Sequence, residues 1–288
     1  MILATYRQIR SAVSLLNSDH VRKTCSEPPV IGLVAATPAG YAAMEDFLIP
    51  AAVSHERRVE LMEYVHRAGD PGAPENVEVV LFEAGMPCPR PCFVWYPDDP
   101  GRTMQEILEK RQDLAIALSR FFLAFRKPVV DGIVQGVCRE NGLFALATAL
   151  PNVIPSVFEL PWAVGEFASD TAFITLNQVR MAFLIAAATG KKIGFSEQST
   201  EVASILMAAL GWRAIARELA GKIPLGGGLI AKGAIAYAGT FVIGKGLERV
   251  NNGRRPLTRV ERDEAFREGL EKGRAIAQDA TDAPPAEA

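Results

Sequence analysis

Apolar runs with little interruption mark three strands: VIGLVAA at 30–36, VEVVLFEAG at 77–85 and CFVWYP at 92–97. Each is short, rich in β-branched or aromatic residues and bounded by Gly, Pro or Asp. Between the first two, a helix is expected from near Pro38, broken at Pro50 and resumed through SHERRVELMEYVHRAG. Strand, helical segment and strand make a βαβ unit with a parallel pair. Next, in DDPGRTMQEILEK, Asp99 is placed to cap, Pro100 suits the first turn, and Thr103 with Glu106 has capping-box spacing. Leu114, Leu118, Phe121, Phe122 and Phe125 then recur at helical spacing and predict one buried face.

From Pro128 onward the pattern is helical. PVVDGIVQGVCRENGLFALATAL precedes a proline-punctuated connection, PNVIPSVFELPW, and Asp170 then caps TAFITLNQVRMAFLIAAAT, which stops at Gly190. SEQSTEVASILMAALGWRAIARELAG and IPLGGGLIAKGAIAYAGTFVIGKGLE follow. Thr258 and Glu261 box the start of a polar helix, TRVERDEAFREGLEKGRAIAQ. The expected fold class is a small N-terminal α/β sheet unit followed by a larger all-α bundle. The boundaries read as an amphipathic helix at 1–30, the α/β unit at 31–100, a helical domain at 101–255, a polar helix at 256–278 and a disordered tail at 279–288.

The chain of 288 residues, 49% hydrophobic, is long enough to fill a sizeable core. Its 31 basic and 33 acidic residues nearly cancel at net −2, so no global field argues for nucleic acid. The N-terminus carries arginines inside its apolar face and no small-residue cleavage site, which argues against a secretion signal and for a cytoplasmic protein. Four cysteines stand at Cys25, Cys88, Cys92 and Cys138. The CPRPC spacing suits half a zinc site, but no second half follows, so no metal is expected and the thiols are expected to be free.

Two stretches approach a bilayer span. Ile223 to Gly244 is long enough, but Lys232 sits near its middle and a glycine triplet opens it; the helix from Asp170 is interrupted by Asn177, Gln178 and Arg180. A mid-bilayer Lys or Arg costs ~2.5–3.5 kcal/mol on insertion scales. Both stretches suit a close-packed bundle, or a hairpin that enters a membrane conditionally. Ala236, Thr240 and Gly244 recur every fourth position, a stripe that lets helix backbones approach closely.

The first strand runs into a loop that resembles a phosphate-binding P-loop stripped of its chemistry. On the template G-x-x-x-x-G-K-[ST], Ala35 takes the first Gly, Gly40 the second, Tyr41 the Lys and Ala42 the Ser/Thr. The phosphate's charge partner and the Mg²⁺ ligand are both lost, leaving a helix N-terminus as a weak anion site. Where an Asp would hold Mg²⁺ after the second strand, Phe82 and Glu83 stand instead; Glu83 substitutes only if the register slips by one. No cofactor and no catalytic residue are expected.

Other candidates are weaker. Gly226, Gly227 and Gly228 through Ala231 satisfy G-x-G-x-x-[GA], with Glu248 twenty residues on, but no strand precedes them. His20, His55 and His66 lie in charged, solvated surroundings without a nucleophile or metal pattern. Asn177, Gln178 and Arg180 in an apolar helix need partners, which Arg139, Glu140 and Asn141 are placed to supply as a structural polar cluster. Trp212 with Arg213 and Arg217 reads as packing, and RRPLTRVER from Arg254 to Arg262 as a solvated basic face able to touch anionic lipid.

From about Asn141 to Leu247, FALATALPNVIP, TAFITLNQVRMAFLIAAATG, GWRAIAREL, the Ile-Pro-Leu-Gly-Gly-Gly turn and KGAIAYAGTFVIGKGLE resemble the helical domain of the family called domain of unknown function 697. That domain follows Era-like GTPase domains in some bacterial proteins and forms the C-terminal part of YcjF-like inner-membrane proteins. The resemblance implies that the eroded loop belongs to a shrunken pseudo-GTPase, although no N-K-x-D guanine motif precedes the helices. It further implies a GTPase or other protein partner in trans and a place at the cytoplasmic face of a membrane. The expected function is therefore a non-enzymatic adaptor or regulator. The alternatives are residual GTP or ATP binding through Gly40, the helix N-terminus and Glu83, and a fully soluble interaction domain.

Overall fold

The computed structural model describes residues 25–89, 91–148, 170–194, 196–205 and 228–282. A small four-stranded parallel sheet near the N-terminus is followed by a mostly helical region. The elements are β1 (Ile31–Val34), α1 (Pro38–Leu48), α2 (His55–Met62), β2 (Val65–Arg67), β3 (Val79–Glu83), β4 (Phe93–Trp95), α3 (Pro100–Lys110), a 3₁₀ turn (Gln112–Leu114), α4 (Ala115–Phe121), α5 (Leu123–Ala147), α6 (Asp170–Ala188), α7 (Gly228–Asn251) and α8 (Arg259–Asp282). Among the described residues two compact units are present, one within 25–130 with 187–191 and the other within 131–186 with 192–282.

The sheet runs in the order β2-β1-β3-β4 with every pair parallel. Central β1 pairs Ile31 with Val65 on one side and with Val79 on the other. Strands β1, β3 and β4 are mainly apolar, as buried parallel strands are, and Ile31, Leu33 and Leu81 are fully buried. The second strand departs from expectation. The helix resumed after Pro50 ends at Met62, and Val65–Arg67 leaves it to pair with β1. A polar strand with only Val65 buried has no apolar signature to read.

The sheet unit also reaches further than residue 100. Asp99 caps α3 by accepting from the Arg102 N–H at 3.1 Å, as expected. Thr103 does not box with Glu106: its buried hydroxyl donates to Val94 O at 3.0 Å and accepts from Tyr96 N–H at 3.1 Å, tying α3 to β4. The apolar face over 114–125 is split by an extended Phe122, yet Leu118, Phe122 and Phe125 are all fully buried. Phe125 meets Phe47 edge-on at 6.1 Å, and Phe47 lies 4.5 Å from Trp95. These contacts carry the unit's boundary to Val130.

In the helical unit, small residues set the spacing. A Cβ on Gly269 would fall 2.9 Å from the Ala238 Cα, and one on Gly273 would fall 3.0 Å from the Ala234 Cα, so α7 and α8 touch backbone to backbone. Gly142 and Gly233 bring α5 and α7 equally close. The stripe at Ala236, Thr240 and Gly244 is buried within this packing, with Gly244 against Val134 and Met181. Among the described residues, no helix is long and apolar enough to cross a membrane. Helix α8 joins this unit and runs to Asp282, into the stretch expected to be a disordered tail. The helix expected at 1–30 and the connection at 151–162 lie largely or wholly outside the described residues, as do Trp212, Arg213 and Arg217.

Candidate functional site

The stripped loop lies at the junction of β1, β3 and α1. The N–H of Gly40 donates to Thr37 Oγ1 at 3.1 Å, making Thr37 the helix N-cap, and Pro38 occupies the first helical position, where its missing N–H costs nothing. Gly40, Met44 and Leu48 form the buried stripe of α1 at four-residue spacing.

Glu83 closes this loop. Val79, Leu81 and Glu83 share one face of β3 by strand alternation, and Glu83 is one residue past the last pairing with β1, Val34 to Phe82. Its carboxylate accepts from the Ala36 N–H at 2.8 Å. A Cβ built on Gly40 would lie 2.7 Å from both carboxylate oxygens. The negative group therefore rests on a loop amide and against the first turn of α1, where backbone N–H groups and the helix dipole favour an anion. In a working P-loop that place belongs to phosphate. Here a carboxylate of the chain itself takes that place.

Tyr41, at the Lys position, lies with its ring 5.3 Å below the Arg67 guanidinium. Arg67 in turn grips Glu45 with Nε and Nη2 at 2.6 and 2.8 Å, and this partner holds the guanidinium's pKa above its ordinary value. The cation nearest the loop is thus committed to a carboxylate. Ala35 is half-buried, and Ala42 is exposed and offers no ligand. Thr37, Glu45 and Arg67 were not legible as part of this site, because only the β2 pairing brings Arg67 alongside α1.

A second cluster of polar side chains joins α5, α6 and α7. Asn141, fully buried on α5, donates to Thr240 Oγ1 at 2.9 Å and accepts from Asn177 Nδ2 at 3.0 Å. Gln178 donates to Thr240 at 3.2 Å, and the Thr240 hydroxyl donates in turn to Ala236 O at 2.9 Å. Arg180 grips both oxygens of Glu140, at 2.9 and 2.7 Å, and Glu140 also accepts from Asn177 at 3.0 Å. Arg139 is exposed and takes no part; one residue along a helix turns it about 100° away from Glu140. The network joins α5, α6 and α7 and contains no nucleophile beside a base.

The remaining candidates resolve simply. His66 lies on β2 and bonds Asp70 at 3.3 Å, so it has an acidic neighbour after all, while His55 is exposed in the first turn of α2 and His20 lies outside the described residues. Gly228 opens a continuous helix, and Glu248 lies about 30 Å along that helix, paired with Lys245 at 3.1 Å; Gly226 and Gly227 are outside the described residues. In the basic string, Arg255 pairs with Glu261, as does Arg249 from α7, and Glu261 also accepts from Thr258 N–H and Oγ1–H, each at 2.8 Å. These bonds complete the capping box and hold the Glu261 pKa down at about 2. Cys88 and Cys92 are not free thiols but are joined in a disulfide, whereas Cys25 and Cys138 are free and buried. No cluster able to hold a metal ion occurs among the described residues.

Comparison with protein-family models, with curated proteins and with solved structures found no match to this chain.

Proposed function

We propose that this chain is a non-enzymatic adaptor or regulatory protein whose sheet unit is a pseudo-GTPase-like domain unable to hold a nucleotide. The observation that carries the reading is the Glu83 carboxylate at 2.8 Å from the Ala36 N–H and against Gly40. A phosphate entering this loop would have to displace one negative charge and would meet neither a lysine nor a Mg²⁺ ligand, since Tyr41 and Ala42 stand at those positions. The adaptor role is supported by the likeness of residues 141–247 to a helical domain that accompanies GTPases, and implies a GTPase or other protein in trans.

Membrane association, if it accompanies this role, is peripheral in this reading. Arg254, Arg259 and Arg262 are exposed beside Val260, a cationic edge suited to anionic headgroups. Fractionation of cells expressing the full chain tests it. Pelleting with membranes and release by high salt is the expected result. Failure to pellet overturns the membrane part, and resistance to alkaline carbonate overturns its peripheral character.

A further inference from the structure

The strands β3 and β4 are parallel, so the chain between them must travel back along the sheet, and the described residues of that connection, 84–89 with 91 and 92, form no helix. That connection contains Pro87, Cys88, Pro89, Pro91 and Cys92. The two cysteines are bonded, with Cα atoms 6.0 Å apart, inside the range of unconstrained disulfides.

Two features argue that this bond is not a staple for the fold. It closes a ring of only five residues, the regime in which cross-linking removes least entropy from the unfolded chain. The prolines already fix φ at alternate positions, so the unfolded connection has less conformational freedom for the cross-link to remove. Both cysteines are half-exposed, open to small thiols, in contrast to Cys25 and Cys138, which are 3% and 0% exposed and whose thiols burial pushes up in pKa.

We propose that Cys88 and Cys92 form a reversible redox pair, a modification site whose co-reactant is a small thiol of the glutathione class. In the reducing direction, the thiolate of one such molecule attacks Sγ of either cysteine. The protein S–S bond breaks, a mixed disulfide forms, and the other cysteine leaves as a thiolate that takes up a proton. A second small thiolate then attacks the small molecule's sulfur in the mixed disulfide and releases the remaining protein thiolate. The sum is one protein disulfide and two small thiols giving two protein thiols and one small disulfide, a two-electron exchange that runs backward in an oxidising buffer. Because β4 begins at Phe93 and its Trp95 accepts from the Ala84 N–H at 3.1 Å, the switch acts on a connection pinned at both ends.

The experiment equilibrates the full folded chain in buffers of varied reduced-to-oxidised glutathione ratio, quenches with an alkylating mass tag and counts tags by peptide mass spectrometry. Cys88 and Cys92 are expected to gain and lose tags together across those ratios and to re-form the bond on reoxidation, while Cys25 and Cys138 stay untagged until denaturant is added. In C88S, Cys92 is expected to take the tag at reducing ratios and to carry one glutathione in a mixed disulfide at oxidising ones. Reduction is expected to shift the melting temperature by less than about 4 °C. A pair that stays oxidised at the most reducing ratio, fails to re-form, or whose reduction lowers the melting temperature further overturns the proposal.

Discussion

The carboxylate of Glu83 rests so closely against Gly40 that a Cβ at that glycine would stand 2.7 Å from both of its oxygens. A strand end and a helix start, 43 positions apart in sequence, are thus joined by a negative charge placed where the helix favours one. The helix tolerates glycine at position 40 because the carboxylate needs the room.

Removing that charge should weaken the sheet unit modestly. In E83Q the hydrogen bond to the Ala36 N–H loses its ionic character and the interaction with the helix N-terminus falls away. Together these are worth about 0.5–1 kcal/mol for a part-exposed group. Urea unfolding should show the midpoint fall with an unchanged slope, and an unchanged midpoint would mean that Glu83 is indifferent to the loop.

The polar network should matter more. Asn141 is fully buried and bonded to Thr240 and Asn177, so N141A both opens a gap and takes one bond from each of them. A loss of about 1–3 kcal/mol is expected, from the two lost hydrogen bonds and the gap left in a buried site, since Asn177 keeps Glu140 and Thr240 keeps Gln178 and Ala236 O. T240V, which keeps the shape but removes the acceptor for Asn141 and Gln178, should cost about 1–3 kcal/mol by the same reasoning. Chemical denaturation of both variants checks the order.

The glycines of α8 set two effects against each other. Alanine is the better helix former by about 1 kcal/mol, yet in G273A the new Cβ would sit 2.8 Å from the Tyr237 Cβ and 3.0 Å from the Ala234 Cα, neither of which yields easily. Overpacking costs of about 1–3 kcal/mol are typical, so G273A should destabilise on balance. G253A probes the other use of glycine: φ is +69° there with open space around it, so the cost is backbone strain alone. Thermal melts should show both falling.

Glu261 gives the fold an acid-side dependence. Its folded pKa of about 2 lies below the ordinary carboxyl value of 4.5, so its contribution is full above about pH 4.5 and is lost as the pH falls toward 2. The causes are the Thr258 N–H, then Arg255 and the Thr258 hydroxyl. The melting temperatures of wild type and E261Q should therefore differ at neutral pH and converge as the pH falls from 4.5 toward 2. A constant gap across that range would contradict the assignment.

The sequence carried the apolar strands plainly, because buried parallel strands need little beyond an unbroken run of Ile, Val, Leu and Phe. It hid β2, whose Val65, His66 and Arg67 continue the charged helix before them and become a strand only through pairing with Ile31, Gly32 and Leu33. Asn177, Gln178 and Arg180 announced a network because polar groups in an apolar helix must bond. Thr240 did not, since a threonine in a run of alanines and glycines reads as spacing. Glu83 was visible as chemistry, but its role was inverted: it was weighed as a metal ligand, and the fold uses it as the anion.

The central claim is that the sheet unit holds no nucleotide, and calorimetric titration of the full chain with Mg-GTP and then Mg-ATP tests it most directly. No heat of binding is expected from wild type at micromolar to submillimolar nucleotide, nor from E83Q, which removes the resident charge without restoring a lysine or a Mg²⁺ ligand. Micromolar binding to wild type that is lost in G40A would contradict the account and make the loop a working, if unusual, nucleotide site.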